Sequence, residues 1–469
     1  MTNLAALLAG KVPVNLNYTL SPQALGSCIH QCDLQTIVTS RLFLQRVKTT
    51  LPCRTLLLEE VAAKPGLEEK FVALVLTWLA PIRWLEAAIG CEPKPELDSL
   101  ATVVFSSGST GDPKGVMLSH YNLASNIEQL GQTFDFSPKD RFLGILPFFH
   151  SFGFTATLLA PAVYGIGVVF HPNPLEAKPV GELTRRHAAT YLMATPAFLQ
   201  IYLRACQPED FGSLRFVMAG AEKLPAWLAS AFEEKFGIRP VEGYGCTECS
   251  PVVAANTHDF RAAGFRQLGS RPGRIGHPLP GISVQIVDPG TRTPLKPGEA
   301  GLLLVRGPNV MQGYLNRPDK TAEVLRGGWY ETGDIASLDE YGFLQITDRL
   351  SRFSKIGGEM VPHVRVEERL HELIGVHEQT FAVAGVPDEK KGERLVVLHT
   401  LSAAALAEVL KRLPQLDLPN LWVPKANQFF AVRELPHLAS GKLDLQKIRE
   451  EANRLSRQPE AAQSEVSRA

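Results

Sequence analysis

The chain has 469 residues, of which 45% are hydrophobic and 20% are charged, and its 48 basic side chains balance its 48 acidic ones. This is the composition of a globular protein long enough for more than one domain, and without a basic stripe or an acidic tail it disfavours nucleic acid as a partner. The seven cysteines are scattered and odd in number, which predicts free thiols, a cytoplasmic location and no cysteine metal site.

The beginning of the chain resembles the interior of a fold. Residues 5–10 are typical of the end of a helix and residues 11–18 of a strand. Ser21 followed by Pro22 is typical of a helix start, and residues 36–40 predict a second strand. Because strands and helices alternate, we expect an α/β core.

An apolar run extends from Phe71 to Ile82 and is too short to span a membrane. Arg83 and Trp84, which follow it, also suit a helix that lies on a membrane surface. A buried core helix fits the run better, so we expect a core helix and leave peripheral membrane association open.

The stretch Phe105–Gly115 has the composition of an anion-binding loop and follows a strand-like run, residues 101–105. Its glycines allow backbone N–H groups to approach a phosphate closely, and its hydroxyls and lysine add donors and charge. The P-loop pattern of nucleotide triphosphatases is excluded, because Pro113 stands where that pattern needs glycine. We predict a polyphosphate site whose candidate ligands are Ser106, Ser107, Gly108, Ser109, Thr110, Gly111 and Lys114.

The segment Gly108-Ser-Thr-Gly-Asp-Pro-Lys-Gly115 resembles the phosphate loop of the adenylate-forming (AMP-binding) enzymes. These include acyl-CoA synthetases, nonribosomal peptide synthetase adenylation domains and luciferases. In that family a helix and strand similar to residues 5–18 lie well inside the large domain. The resemblance therefore implies that the leading part of this domain is missing here, and a partner chain is one source that would supply it.

Two weaker motifs follow the loop. Residues 142–153 place aromatic side chains and His150 at the end of a strand, and an isolated histidine is more often structural than catalytic. The resemblance implies that His150 borders and gates the acyl site, with a predicted apolar helix at residues 154–163 as a candidate wall. It also implies that the turn after the strand at residues 214–219 lies against the adenine. The candidate contacts in that turn are Gly220, Ala221 and Glu222.

The segment Val241–Ser250 combines three kinds of nucleotide-binding side chain. Tyr244 can stack on a purine, Thr247 can bond a phosphate, and the carboxylate of Glu248 is a hard oxygen ligand suited to Mg²⁺. These residues stand in the order of the family motif. The resemblance implies that Tyr244 and Gly245 contact the nucleotide, that Thr247 and Glu248 are catalytic, and that Glu248 holds the metal.

Downstream, residues 273–281, 284–288 and 301–307 predict short strands and turns of a small β-rich subdomain. Asp334 follows a glycine and can accept both ribose hydroxyls, and Arg349 offers a guanidinium group for the ribose or phosphate. The block 348–361 resembles the family's interdomain hinge. Arg352 occupies the hinge position, where the family usually has Asp or Lys, and the resemblance implies rotation of the C-terminal domain.

Near the end of the chain, Ser440-Gly-Lys442 resembles the final motif of the family. The resemblance implies that Lys442 reaches into the site and neutralises charge on the substrate carboxylate and the α-phosphate. His437 and Leu438 depart from the basic residue and threonine that are usual before it. From Glu451 the chain is polar, and we expect it to be frayed.

These motifs predict an α/β fold in three parts. A large N-terminal α/β domain with a small β-rich subdomain covers residues 1–351, a small mobile α+β C-terminal lid domain covers residues 352–450 after the hinge, and a polar tail covers residues 451–469.

The resemblance implies that ATP and Mg²⁺ convert a carboxylate to acyl-AMP and pyrophosphate, after which the acyl group passes to a thiol. Residues 8–18, 148–153 and 349–361 look most like the synthetase part of the bifunctional acyl-[acyl carrier protein] synthetase / 2-acylglycerophosphoethanolamine acyltransferase group. This implies a long-chain fatty acid and the phosphopantetheine thiol of acyl carrier protein. None of the twelve histidines has Asp five residues later, so glycerolipid acyl transfer is not predicted. Coenzyme A as the acceptor and an inactive nucleotide- or acyl-binding remnant are the alternatives left open.

Overall fold

The computed structural model describes residues 1–47, 53–63, 65–88, 90, 96–106, 113–356, 359–376, 378–388, 391–437 and 443–457. The fold is mixed α/β, as the sequence predicts.

A seven-stranded sheet forms the centre of the larger part. Five of its strands are parallel and two at one edge are antiparallel. In spatial order the strands are His277–Pro278, Val252–Ala255, Val241–Gly245, Phe216–Ala219, Tyr191–Ala194, Arg141–Gly144 and Gly167–Phe170.

Both faces of this sheet are covered, because side chains alternate along each strand. Tyr191 and Met193 belong to one buried core, and Leu192 and Ala194 belong to the other. The first core packs against the helix His120–Thr133 and the π-helix Phe152–Leu159, and the second against the helices Ala177–His187, Pro196–Ala205 and Ala226–Phe236.

A second, three-stranded sheet carries the predicted phosphate loop. Its hairpin consists of Leu100–Ser106 and Lys114–Ser119, with Ser106 opposite Lys114 in the register. The short strand Gly313–Tyr314 pairs with the outer side of Lys114–Ser119. We call the two long strands the phosphate-loop hairpin.

The predicted β-rich subdomain is a five-stranded antiparallel sheet. Its strands are Ser283–Val287, Gly301–Arg306, Leu325–Arg326, Trp329–Leu338 and Leu344–Arg349.

The last part of the chain has its own sheet, buried on both faces. Its strands are Phe353–Ile356, Glu359–Pro362, Phe381–Asp388, Gly392–His399 and Phe429–Ala431. Its helices are His363–Ile374, Ala403–Arg412 and Leu445–Ser456.

The remaining elements are shorter or peripheral. They are the helices Thr2–Leu8, Pro22–Gln31, Arg41–Val47, Leu58–Ala63, Leu67–Leu79, Ile82–Ala88, Ala160–Tyr164 and Pro318–Val324, the 3₁₀ turns Pro208–Phe211, Thr247–Cys249, Leu350–Arg352, Leu413–Gln415 and Ala426–Gln428, and the strands Thr36–Thr39, Arg54–Leu57, Phe260–Ala262 and Phe265–Gln267.

Two predicted elements differ near the site. Residues 11–17 form no strand, and the carbonyl of Pro13 instead accepts a hydrogen bond from the Thr102 hydroxyl at 2.7 Å. The apolar helix predicted at residues 154–163 begins as the π-helix Phe152–Leu159. Gly153 permits this close packing, since a Cβ there would collide with the carbonyl of Pro147.

The expectation of a buried core helix at residues 71–82 is wrong. The helix Leu67–Leu79 has no buried residue, and Phe71 and Trp78 are 66% and 83% exposed. Its apolar composition suggested burial, but nothing in the described part of the chain packs over it. None of the described helices is both long and apolar enough to cross a membrane.

The frayed tail expected from Glu451 is wrong as far as Ser456. Residues 445–456 form a helix that buries Ile448, Ala452 and Leu455. These positions share one helical face, which explains why a polar segment still packs.

Candidate active site

The first part of the site joins Tyr244, Asp334 and Arg349. Tyr244 lies at the end of a central strand, and its hydroxyl donates a hydrogen bond to Oδ2 of Asp334. Arg349 stands opposite Asp334 in the neighbouring strand, with its Nε 3.1 Å from Oδ1. Asp334 is buried, whereas the Arg349 side chain is 66% exposed. The structure therefore brings together three residues that the sequence predicts at the nucleotide.

The electrostatics of this group are consistent with its hydrogen bonds. Burial raises the pKa of Tyr244 well above its usual value, and the nearby Asp334 raises it further. Asp334 also raises the pKa of the Arg349 guanidinium. Tyr244 is thus a neutral donor and Arg349 a cation at neutral pH.

The second part of the site joins Glu248 to the phosphate-loop hairpin. Glu248 lies on the turn Thr247–Cys249, is 8% exposed, and accepts a 2.9 Å hydrogen bond at Oε1 from the Tyr314 hydroxyl. The Nζ of Lys114 lies 5.3 Å from the centroid of the Tyr314 ring. Burial raises the pKa of Tyr314, with Glu248 as the next cause, so this hydroxyl is a fixed donor. Tyr314 thereby links the predicted metal ligand to the predicted phosphate-binding lysine.

Glu248 fits a magnesium ion that is bound together with phosphate. No donor for its Oε2 occurs among the residues that the structure describes, and the same residues include no group of three or more His, Cys, Asp or Glu side chains able to hold a metal. Mg²⁺ usually keeps several waters and takes one or two carboxylates plus substrate phosphates as ligands. The arrangement therefore suits Mg²⁺ held between Glu248 and a polyphosphate.

The predicted adenine turn lies beside the strand that carries Tyr244. A Cβ at Gly220 would lie 3.1 Å from the Phe152 ring and 3.8 Å from the carbonyl oxygen of Gly243. Ala221 is exposed with a φ of +71°, and Glu222 is half-buried. The turn is close enough to share a ligand with Tyr244.

Thr247 and His150 lie at the edge of this group. The Ser151 hydroxyl donates to the Thr247 hydroxyl at 3.4 Å. His150, which precedes Ser151, is exposed, and its ring centroid is 4.6 Å from that of Phe149. Gly245 approaches the next strand so closely that a Cβ would collide with the Pro251 carbonyl oxygen.

Some predicted site residues fall outside the described part of the chain. Ser106 is half-buried and is the last residue of the first hairpin strand, opposite Lys114. The predicted ligands Ser107, Gly108, Ser109, Thr110 and Gly111, and also Lys442, lie outside the described residues.

Two residues of the site were not singled out from the sequence. Tyr314 contacts Glu248 from 66 residues away in the chain, and no local pattern indicates such a pair. Glu242 is buried and accepts hydrogen bonds from the backbone N–H groups of Leu224 and Gly273 at 3.4 and 3.1 Å. Its position directly before Gly243 and Tyr244 was the one available signal.

The predicted hinge contains a buried ion pair. Arg352 donates to Glu367 of the helix His363–Ile374, and both side chains are largely buried. Asp348 accepts the backbone N–H of Val364 at 3.1 Å, and burial raises its pKa to about 6. The arginine that departs from the family pattern is therefore attached to the last part of the chain.

Comparison with known proteins agrees with this geometry. The family model "AMP-binding enzyme" matches residues 1–315, which is more than half of the chain, and the model "AMP-binding enzyme C-terminal domain" matches residues 365–442. The chain belongs to the AMP-binding enzyme family. The resemblance to adenylate-forming enzymes is thus confirmed, whereas the closer similarity to the bifunctional synthetase group stays a prediction.

Curated relatives of this AMP-binding protein include ligases. It is 35% identical over 365 residues to a long-chain-fatty-acid–CoA ligase of Bacillus subtilis, covering 76% of this chain and 62% of the relative. It is 29% identical over 472 residues to a ligase of the same name from Salmonella typhimurium, covering 95% of this chain and 82% of the relative.

Solved structures show the same fold. ATP-bound MatB from Rhodopseudomonas palustris matches with a TM-score of 0.79 and 26% identity, over 97% of this chain and 86% of that one. The o-succinylbenzoate CoA synthetase MenE of Bacillus subtilis, in complex with ATP and a magnesium ion, matches with a TM-score of 0.73 and 25% identity, over 95% and 86%. The predicted large α/β domain followed by a smaller C-terminal domain is confirmed.

Proposed function

We propose that this AMP-binding protein activates a long-chain fatty acid with ATP to acyl-AMP, releases pyrophosphate, and then transfers the acyl group to a thiol. The observation that carries the proposal is the position of residues 244–248. This segment contacts the Asp334–Arg349 pair at one end and, through Tyr314, the Lys114 hairpin at the other. A ribose and a polyphosphate would bind at these two ends.

In the first half-reaction the chain's side chains position ATP and neutralise charge. Asp334, oriented by Tyr244 and Arg349, would accept the ribose hydroxyls. Lys114 would bind the outer phosphates and Glu248 would hold Mg²⁺, which supplies positive charge beside them. A carboxylate oxygen of the fatty acid then attacks the α-phosphorus, and the bond to the departing pyrophosphate breaks. No side chain has to act as a nucleophile.

Lys442 is proposed to act on the same step from the C-terminal part of the chain. The support for this role is the resemblance of Ser440-Gly-Lys442 to the final family motif, which the C-terminal family model spans. An ammonium group there would neutralise charge that develops between the carboxylate and the α-phosphate.

An apolar substrate is supported by the residues beside the predicted adenine turn. The π-helix Phe152–Leu159 is almost entirely buried and apolar, and its first ring packs against Gly220. π-Helical turns occur often at functional sites. The names of the fatty-acid ligase relatives support the long-chain preference, and exposed His150 would stand at the entrance.

The acceptor is proposed to be a phosphopantetheine thiol. The relatives' names support coenzyme A, and the resemblance of residues 349–361 supports acyl carrier protein. Rotation at the proposed boundary between residues 1–351 and 352–450 would admit this thiol.

The scattered cysteines support a cytoplasmic location. The exposed helix Leu67–Leu79 supports peripheral membrane association, which vesicle flotation would test.

The test is fatty-acid-dependent exchange of labelled pyrophosphate into ATP, with acids of increasing length. We expect exchange with long-chain acids and its loss in Asp334→Ala. Adding coenzyme A or acyl carrier protein with each active acid then identifies the acceptor from the thioester formed. A folded sample without exchange for any acid would contradict the proposal and favour the inactive remnant.

A further inference from the structure

The turn that carries Glu248 is held in place by side chains from distant parts of the chain. The backbone carbonyl of Glu248 accepts a 2.8 Å hydrogen bond from the N–H of Met311. The next carbonyl, that of Cys249, accepts a 2.7 Å hydrogen bond from Nδ2 of Asn309. The Ser250 hydroxyl donates back to the Asn309 carbonyl at 2.8 Å. The middle of the turn and its C-terminal end are therefore tied to the loop at residues 308–311.

Asn126 fixes the strand that follows the turn. Its Oδ1 accepts the N–H of Val252 at 3.1 Å, and its Nδ2 donates to the Val252 carbonyl at 2.8 Å. Nδ2 also donates to Oε1 of Gln129 at 3.0 Å. Asn126 is completely buried, so these bonds do not compete with water.

The same helix also holds the loop that contains Asn309. Nδ2 of Asn122 donates to the carbonyls of Pro308 and Val310, each at 2.8 Å. The helix His120–Thr133 begins directly after the hairpin strand Lys114–Ser119, and Ser119 and Asn122 form its N-terminal capping box. One rigid element thus connects the phosphate-loop hairpin to the turn with the predicted metal ligand.

We propose that Asn126 and Asn309 are positioning residues for Glu248. They fix the backbone of Cys249, Ser250 and Val252, which directly follows this carboxylate, and so set its distance from the phosphate-loop hairpin. The inference rests on the proposed function, in which Glu248 holds Mg²⁺ beside the phosphates of ATP.

A physical reason for such a network lies in the metal's demands. Mg²⁺ requires near-octahedral geometry with ligand distances of about 2.0–2.1 Å, and it loses affinity when a ligand is displaced. A shift of the Glu248 carboxylate relative to the phosphates would therefore weaken the binding of the metal. Residues that orient a metal ligand without touching the metal commonly change affinity by about 10- to 100-fold when they are altered.

The experiment compares the affinity of the protein for ATP with and without the metal. Calorimetry with the full chain gives the Kd of ATP in excess Mg²⁺ and in excess EDTA. The Kd in EDTA divided by the Kd in Mg²⁺ is the ratio that measures the metal's contribution. Asn126→Ala should lower this ratio about tenfold while leaving the metal-free Kd unchanged. Ser250→Ala removes one hydrogen bond of the same network and should lower the ratio less. Glu248→Gln should abolish the metal's contribution.

The control is Asn453→Ala, because this asparagine also bonds one backbone carbonyl, that of Arg449 at 2.8 Å, but lies on the last helix. Its ratio should equal that of the wild type. If Asn126→Ala folds and its ratio equals that of the wild type, the positioning role is overturned. If Asn126→Ala does not fold, a ratio in Ser250→Ala equal to that of the wild type overturns it. A wild type that binds ATP equally well with and without Mg²⁺ would instead contradict the proposed function.

Discussion

Replacing Arg352 by methionine tests the physical role of the arginine at the predicted hinge. Arg352 is the charged partner of Glu367, which is 4% exposed and also accepts the Val383 N–H at 2.7 Å. Methionine keeps much of the arginine's apolar stem but removes the guanidinium group. Glu367 then remains buried with a hydrogen bond but without a counter-charge.

The expected cost is large and depends on pH. Breaking a buried ion pair by removing one partner destabilises a protein by about 3–5 kcal/mol. Burial raises the pKa of Glu367 and the guanidinium group of Arg352 opposes this, so the variant raises that pKa further. An acid whose pKa is raised by folding is destabilising when charged. The loss of unfolding free energy in Arg352→Met is therefore complete above the pKa that Glu367 has in the folded variant. As the pH falls below that pKa, the loss shrinks by about 1.4 kcal/mol for each pH unit.

Urea denaturation read by peptide-resolved hydrogen exchange measures this loss. Peptides from the strand Phe381–Asp388 report on the sheet that packs on Glu367, and the central sheet is an internal reference. Glu367→Gln added to Arg352→Met should recover most of the stability, since the amide oxygen still accepts the Val383 N–H. The matched control is Arg454→Met, whose exposed pair with Glu451 should contribute less than about 1 kcal/mol. A loss in Arg352→Met as small as the control's, or one that does not shrink when the pH is lowered, would refute the reasoning.

Three other predictions concern the remaining site and hinge residues. Burial raises the pKa of Asp348 to about 6, so its charged form destabilises the fold. The free energy of unfolding should therefore fall by about 3 kcal/mol as the pH rises from about 4 to 6. Asp348→Asn should remove this pH dependence from the unfolding free energy measured in urea titrations, and an unchanged pH dependence would contradict the role of Asp348. In the exchange assay, Lys442→Ala should abolish adenylate formation while ATP still binds, whereas Asp334→Ala should weaken ATP binding itself, and equal losses of both in both variants would contradict their separate roles. Gly245→Ala should impair ATP binding because its Cβ would collide with the Pro251 carbonyl, whereas Gly26→Ala, in a helix with open space around the added Cβ, should be tolerated or slightly stabilising.

The sequence predicts those parts of the site that depend on local pattern. The strand before the phosphate loop and the strand before the turn at Gly220 were each indicated by an apolar run followed by a glycine-containing turn. The order of these motifs along the chain identified the family. Because each motif is a continuous segment with its own turn chemistry, it can be recognised before the fold is known.

The contacts between the motifs could not be predicted in this way. The bonds from Tyr314 to Glu248 and from Asn126 to Val252 join residues 66 and 126 positions apart. An asparagine within a helix pattern is ordinarily taken for a surface residue, and only the packing shows that Asn126 is buried. The helix Leu67–Leu79 illustrates the opposite error, because its apolar composition indicates that it favours burial but not whether a packing partner is within reach.

The position of Arg352 shows how a buried ion pair would be compatible with the proposed hinge. Arg352 and its partner Glu367 both lie beyond Arg349, so a rotation of the last part of the chain about the segment 349–352 would carry the pair along intact. The contacts that span that segment include the hydrogen bond from the Val364 N–H to the Asp348 carboxylate and the ion pair between Lys223 and Glu368. The first joins the end of the β-rich sheet to the helix His363–Ile374, and the second joins the same helix to the predicted adenine turn. These exchangeable contacts would have to break in the proposed rotation, whereas the Arg352 pair stabilises the unit that moves.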